Sequence, residues 1–401
     1  MARTRLRVAV VGGGLGGLVA ALYLVRDGHE VTVFERTPEL REFGAGIVVA
    51  PNMVRLYDRL GLGAALRDCA VSLEAAWEFR RWQDGRVLFS QPMGAECERL
   101  YGTNCFVAHR GDLQQLLAAA LPSGVVRAGH RCLGVDADDA GAWLTLATGD
   151  DDAAAVRSER FDAVVGADGI HSAVRAAIGA RDSARFSGLC AFRCLVPAVD
   201  APEMARRPVQ TLWLGPGRHF VHYPISRGEY VNVVGIVPAG DWRDESWTAE
   251  GSIDDMRREY AGWDPRVLGL IDSATDTRRW AMFDREPLDH WTRGRVTLLG
   301  DAAHAMLPFF AQGACQATED AAVLAARLRD VAPDGVAAAL QAYESLRRPR
   351  ATRVQLMSRG REHQNHLPDG PEQQARDAAL ANGDPLRQSA WLYGLDVETD
   401  G

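Results

Sequence analysis

Apolar residues come in short runs along this chain, separated by glycine-bearing turns and by stretches whose apolar positions recur at helical spacing. Arg7 to Val11 is a run of strand length; Gly12 to Gly17 is a glycine loop. Leu18 to Arg26 then reads as a helix ending at Gly28, and Glu30 to Phe34 as a second strand. Trp77 to Trp82 and Arg86 to Gln91 predict two strands joined through Gln83, Asp84 and Gly85, a hairpin signal. Leu113 to Leu121 predicts a helix, and strands recur at Trp143 to Ala147 and Phe161 to Gly166. Four more are expected at Leu189 to Val196, Val209 to Leu214, His219 to Pro224 and Tyr230 to Val237, and another at Arg295 to Gly300. Beyond Gln316 the pattern is helical; Asp150 to Ala155 is a short acidic, alanine-bearing loop, and no repeat recurs.

Nucleotide-type turns thus stand at both ends of the chain around a strand-rich middle. That order predicts an α/β protein whose Rossmann-like nucleotide-binding domain is interleaved from separated segments, with a β-sheet substrate domain inserted between them and a helical C-terminal region. The expected boundaries are 1–75, 101–184 and 285–345 for the nucleotide-binding parts, 76–100 for a substrate-domain hairpin, 185–284 for the substrate sheet and 346–401 for the helical end.

Composition narrows the chemistry. The 401 residues allow two to three domain equivalents, and 47% apolar and 24% charged residues are ordinary for a globular protein. A net charge of -8 argues against nucleic acid as a partner, which needs a cationic face. All 45 basic residues are Arg, so Schiff-base lysines, pyridoxal attachment and P-loop lysines are excluded. The seven scattered cysteines (Cys69, Cys97, Cys105, Cys132, Cys190, Cys194, Cys315) contain no C-x-x-C pair and read as reduced thiols of a cytoplasmic protein, Cys190 and Cys194 as packing residues. His363 and His366 lie among Gln, Asn and Pro with no third ligand near, and read as surface residues with no metal. Val8 to Val25 is uncharged behind three arginines, but five glycines between Gly12 and Gly17 break any leader or membrane helix there; no membrane partner is expected.

The chemistry-bearing motif is Gly12-x-Gly14-x-x-Gly17, set between a strand and a helix, with Glu35 at the end of the second strand, eighteen residues beyond Gly17. The first glycine permits a tight turn, the second lets backbone N–H groups approach a pyrophosphate at the helix N-terminus, and the third lets helix and strand pack closely. Glu35 is positioned to accept hydrogen bonds from a ribose. This motif does not separate NAD from FAD. Two further turns, at Asp168-Gly169 and Gly300-Asp301, each place an Asp directly after a strand and before a helix, where a carboxylate can hold a ribityl or ribose hydroxyl.

With these motifs, and with Gly44 to Asn52, His109-Arg110-Gly111-Asp112-Leu113, Ala311-Gln312-Gly313-Ala314 and Trp391 to Asp396, nearly the whole chain resembles the class A flavoprotein monooxygenases. Within them it resembles the salicylate hydroxylase group, which includes 3-hydroxybenzoate 6-hydroxylase and 6-hydroxynicotinate 3-monooxygenase. The resemblance implies a para-hydroxybenzoate hydroxylase fold, bound FAD, NADH or NADPH as a transient co-substrate, and O2 attacking a small phenolic or heteroaromatic, carboxylated substrate through a flavin C4a-hydroperoxide, in a monomer or homodimer. It implies that Gly12, Gly14, Leu15, Gly16 and Gly17 hold the cofactor's phosphates, that Glu35 and Arg36 contact the adenosine ribose and that Val48 lines the FAD path. Arg110 meets the phosphate or ribityl region, and Asp301 the ribityl chain. Backbone N–H groups near Gly313 and Ala314 face the flavin pyrimidine, and Asp168 serves both FAD and the nicotinamide cofactor. Many relatives carry G-x-G where this chain has Gly313, Ala314 and Cys315, a departure at the flavin.

Strand alternation puts His219 and Tyr223 on one face and His222 on the other. The relatives acting on 6-hydroxynicotinate and similar phenols carry a His and a Tyr at this spacing. A neutral His219 can accept a phenolic proton; it can equally be a buried structural histidine. Pro308, Phe309 and Phe310 are expected to wall the pocket, or to be core. Two other functions stand beside the hydroxylase: an FAD-dependent dehydrogenase or oxidase without oxygen insertion, and a flavin redox sensor without turnover.

Overall fold

Three stretches far apart along the chain build one sheet. In the computed structural model, which describes residues 4–40, 46–149, 155–180, 182–244 and 249–399, the strand Arg7–Val11 runs parallel to Glu30–Phe34 on one side and to Ala163–Gly166 on the other, Val8 lying beside both Val31 and Ala163. Val126–Arg127 and Val296–Leu298 extend it in parallel, and Thr292–Arg293 closes one edge antiparallel. Val8 to Val11 are buried without alternation, as befits a parallel strand covered on both faces. The helix Leu15–Arg26 is buried from Leu15 and from Gly17 to Leu24, and it packs against the helix Gly313–Leu328. Gly44 and Ala45 of the Gly44 to Asn52 segment, and residues 150–154 of the acidic loop, lie outside the described residues.

A second sheet has seven strands in the order Arg278–Asp284, Arg185–Pro197, Tyr230–Pro238, Arg218–Ile225, Val209–Gly215, Ala75–Arg81, Val87–Pro92. It is antiparallel except where Val209–Gly215 runs beside Ala75–Arg81, so the early hairpin joins strands from the middle of the chain. One face buries Phe192, Trp213 and Phe220 against the helices Ile253–Glu259 and Pro265–Asp272. The other face looks toward the first sheet.

A short antiparallel strand, Gly46–Val49, joins the two bodies. The Gly46 N–H donates to Asn232 Oδ1 at 2.8 Å. A Cβ on Gly46 would stand 2.6 Å from Tyr223 Cε2, so only glycine permits this approach. The chain finishes in helices; Val336–Asn365 is the longest, runs through Pro349 and ends against the second sheet.

Several elements outrun their hydrophobic cores: the expected strand Leu189 to Val196 spans Arg185–Pro197, and the helix expected at Leu18 begins at Leu15. Arg278–Asp284 carries no strand signal because it opens on two arginines, yet Arg279 lays its guanidinium over the rings of Phe192 and Trp242 and is accommodated there. No described helix is long and apolar enough to cross a membrane.

Candidate active site

The glycine loop is shaped by contact. Gly12 sits at φ +108°, and a Cβ there would lie 2.3 Å from the Ala167 carbonyl oxygen; one on Gly17 would lie 2.0 Å from the Gly12 carbonyl oxygen. At Gly14 the situation reverses: a Cβ would meet nothing within 4 Å. Gly14 opens the helix Leu15–Arg26, whose first turn has no side-chain cap, so its N–H groups are free to bind an anion. Glu35 turns its carboxylate onto this loop, accepting from Gly13 N at 2.6 Å, Thr37 N at 2.8 Å and Thr37 Oγ1 at 2.9 Å. Glu35 therefore braces the glycine loop. Arg36 is exposed.

A cavity of about 380 Å³ begins at Gly14, Leu15 and Gly16, passes Val48, Arg110 and Asp301, and reaches Gly313 and Ala314. Gly12, Gly17, Glu35 and Arg36 are not among its lining residues. Asp168 lies between two lining residues, Ala167 and Gly169. Its Oδ2 accepts the N–H groups of Ala173 at 2.7 Å and Val174 at 3.3 Å, while Oδ1 is buried with no partner. Burial raises the Asp168 pKa, and its hydrogen bonds oppose that rise. An open glycine at an uncapped helix N-terminus and a buried carboxylate oxygen without a partner fit FAD, which brings a pyrophosphate and ribityl hydroxyls. Cys315, just past Ala314, is buried and its thiol is pushed up to about 12.

Behind Asp301 and Gly313 lies a buried ionic cluster that hydrophobic patterning does not reveal. Asp320 accepts from Gly300 N at 3.0 Å, from Arg347 Nε at 2.7 Å, and stands 2.6 Å from His304 Nε2. Glu319 accepts from Arg347 at 2.7 Å, from Arg350 at 2.7 Å and from Asn52 Nδ2 at 2.7 Å; Asn52 also reaches Gln312 Oε1 at 3.1 Å. The cluster ties the turn before Asp301 and the residue before Gly313 to two helices. Its one sequence signal was an acidic pair inside an alanine-rich apolar helix.

Beyond Gly313 the cavity opens onto the second sheet. On four of its strands alternate residues line the cavity: Ala191 and Arg193, Gln210 and Leu212, His219, Val221 and Tyr223, and Val234 and Ile236; on the fifth, Trp280 to Phe283 line it in succession. His222 points to the opposite face, buried, with neither ring nitrogen bonded and its pKa pulled down to about 3 by burial and then by Arg80. Pro308 and Phe309 also line the cavity; Phe310 does not, and its ring lies under the Arg361 guanidinium. Two residues of the wall, Trp77 and Ala311, hold φ of 54° and 51°, left-handed values that side chains avoid without compensation.

His219 is buried, and burial, with the His366 ring beside it, holds its pKa well below the ordinary histidine value. Its Nδ1 lies 2.6 Å from Nε2 of His366. The reading of both His363 and His366 as surface residues is thus corrected: His363 is exposed, but His366 turns inward, because the long helix ends at Asn365 directly over the strand Arg218–Ile225. Tyr223 is buried and its phenol pKa is raised by burial, with Arg193 acting in the opposite sense. Arg193, whose guanidinium stacks 4.5 Å over Trp280, and Gln210 were not anticipated; Arg193 is marked only by its phase, two residues from Ala191 on the cavity side.

Residues 5–358 match the FAD binding domain family. Over 399 residues the chain is 42% identical to a 3-amino-4-hydroxybenzoate 2-monooxygenase of Streptomyces platensis, covering 99% of this chain and 98% of that protein. It is 34% identical to the 6-hydroxynicotinate 3-monooxygenase of Pseudomonas fluorescens, over 98% of this chain and 95% of the relative. The crystal structure of Klebsiella pneumoniae HpxO complexed with FAD and uric acid superposes with a TM-score of 0.82 at 27% identity, covering 97% of this chain and 96% of the other.

Proposed function

The chain belongs to the FAD binding domain family and is an FAD-dependent aromatic-ring monooxygenase; from that premise we propose that it hydroxylates a small carboxylated phenol of the 3-amino-4-hydroxybenzoate type. One observation carries this reading: His219 and Tyr223 on Arg218–Ile225, and Arg193 on Arg185–Pro197, the next strand but one, line the same cavity that begins at the glycine loop.

The residues that would hold FAD are Gly12 to Gly17, with Glu35 and Arg36, at the adenosine and pyrophosphate end; Val48, Arg110, Asp168 and Asp301 along the ribityl chain; and the N–H groups of Gly313 and Ala314 at the flavin. FAD held by these residues, and reduced by NADH or NADPH, would supply the chemistry that inserts one oxygen atom of O2 into the ring. The chain's own groups do the rest. Arg193 pairs with the substrate carboxylate and orients the ring, a charge-assisted contact strengthened by the dry site. His219 Nε2 removes the phenolic proton, which makes the ring electron-rich, and Tyr223, kept protonated by burial, donates a hydrogen bond to the resulting oxyanion. Pro308 and Phe309 keep water from the reacting carbon. The free cysteines and the need for nicotinamide cofactor support work in the cytoplasm; a monomer or homodimer is the oligomeric state we propose.

The test is a panel of amino- and hydroxy-substituted benzoates and pyridine carboxylates, scored for O2 uptake, NAD(P)H oxidation and product mass. Equal consumption of both co-substrates, with a product one oxygen atom heavier, is expected for a carboxylated phenol. Oxidation of every compound without oxygen incorporation would refute the assignment in favour of a dehydrogenase or oxidase.

A further inference from the structure

A buried imidazole that takes a proton must pass it on or hold a charge in an apolar wall. His219 is 3% exposed, and its carbonyl accepts from the Tyr260 hydroxyl at 2.8 Å, which holds its strand in place. Its Nε2 is the nitrogen left for the cavity, because Nδ1 is engaged 2.6 Å away by His366 Nε2. The two rings lie with centroids 4.9 Å apart, and Phe309 packs edge-on against both. His366, unlike His219, is only partly buried, at the C-terminal end of the helix Val336–Asn365.

We propose that His366 is a positioning residue that relays the substrate's phenolic proton from His219 to solvent. This rests on His219 being the base. In the resting pair His219 carries its proton on Nδ1 and donates it to His366 Nε2, which leaves His219 Nε2 bare toward the substrate. The substrate O–H bond breaks and its proton joins His219 Nε2. The His219 Nδ1–H bond breaks and that proton joins His366 Nε2, while the proton on His366 Nδ1 leaves to water. One proton enters and one leaves, no electrons move, and both rings end neutral, so no imidazolium is stranded in the core. The charged and titratable groups around the pair are consistent with neutral rings. Burial, and then the charge of Arg218 on the strand beside His219, bring the His366 pKa down to about 4; Arg218 is itself paired with Glu259 at 2.8 Å. His363, one turn earlier on the helix, offers His366 only its backbone carbonyl, at 3.2 Å. A weak base near a weak acceptor cannot store a proton, but it can conduct one.

The test uses FAD-loaded enzyme without reductant, mixed in a stopped-flow instrument with 3-amino-4-hydroxybenzoate, reading the long-wavelength absorbance of the phenolate. The expected parent result is fast phenolate formation with a curved proton inventory in H2O/D2O mixtures, since two protons or more move together. His366→Gln keeps an oxygen that accepts from His219 Nδ1 but cannot pass a proton on. It should form phenolate at least about tenfold more slowly, with probe affinity little changed, and added imidazole should restore the rate in His366→Ala. A linear inventory in the parent, or phenolate formation at the parent rate in both His366 variants while His219→Ala is slow, would overturn the relay and leave the base in place. No phenolate in the parent enzyme, or a parent rate in His219→Ala, would instead remove the base reading on which the relay rests.

Discussion

Arg347 Nε meets Asp320 Oδ1 at 2.7 Å inside a buried cluster, and the same carboxylate holds the Gly300 N–H, at 3.0 Å, directly before Asp301. Arg347→Leu leaves Glu319 with fewer partners and Asp320 buried beside an apolar group, and removing one member of such a pair typically costs about 3–5 kcal/mol. Urea unfolding should show that loss, together with weaker FAD retention as the Gly300 turn loosens. The acid limb should also change. Burial raises the Asp320 pKa, but His304 and Arg347 outweigh it and bring it to about 2. The folded value lies below the unfolded value of about 4, so the stabilisation is present above about pH 4 and is lost as pH falls toward 2. Arg347→Leu should flatten that limb; identical acid unfolding curves for the variant and parent would show that the pairing does not set it.

The two glycines at 14 and 17 should fail differently. Gly14→Val has room in the protein but fills space at the helix N-terminus where a pyrophosphate approaches, so the variant should fold and purify with little FAD, read from the ratio of flavin to protein absorbance. Gly17→Ala drives a methyl group 2.0 Å from a backbone oxygen and should lose thermal stability first, whatever its cofactor content. Full FAD occupancy in Gly14→Val would count against the pyrophosphate position.

His219→Ala should keep FAD and still be reduced by the nicotinamide cofactor. Its hydroxylation rate should fall by roughly a hundred to ten thousand, with hydrogen peroxide released in place of product. Because the folded pKa of His219 lies below the ordinary histidine value, the neutral base is present at pH 7, and parent activity should fall only at pH values well below about 6.5. His222→Ala, on the opposite face, should retain coupled turnover. The reverse pattern in the two variants would reassign the face.

Arg193→Met keeps an apolar stem over Trp280 and removes the charge. For a carboxylated substrate KM should rise by about a hundredfold, the equivalent of a charge-assisted hydrogen bond or two. For the same phenol without its carboxylate, variant and parent should differ little. An equal loss on both substrates would mean that Arg193 shapes the wall and does not read the carboxylate.

Much of the nucleotide end was legible because its signals are local. Gly12 to Gly17 between two apolar runs specifies strand, tight turn and helix within thirty residues, and Asp168 and Asp301 each follow a strand at a turn. Alternation likewise separated His219 and Tyr223 from His222, since the strand period is two. Glu35 shows the limit of such reasoning: spacing placed it at the loop, but its bonds to Gly13 and Thr37 are set by how the loop and strand pack. Arg278–Asp284 and the Glu319–Arg347 cluster were hidden because their charged residues are accommodated against partners remote in sequence.

By itself, then, the sequence determined the α/β class, the glycine-loop cofactor motif and the two faces of the strand carrying His219, because each is written in contacts or periodicities a few residues long. Only the tertiary structure decided that His366 leaves the surface to bond His219, that Arg193 enters the same cavity, and that Asp320 fixes the turn before Asp301. The positions of His219 and His366 are 147 apart along the chain, and those of Gly300 and Asp320 are 20 apart. Nothing in local propensity specifies such pairings; they follow from how a long helix and two sheets pack around one buried space.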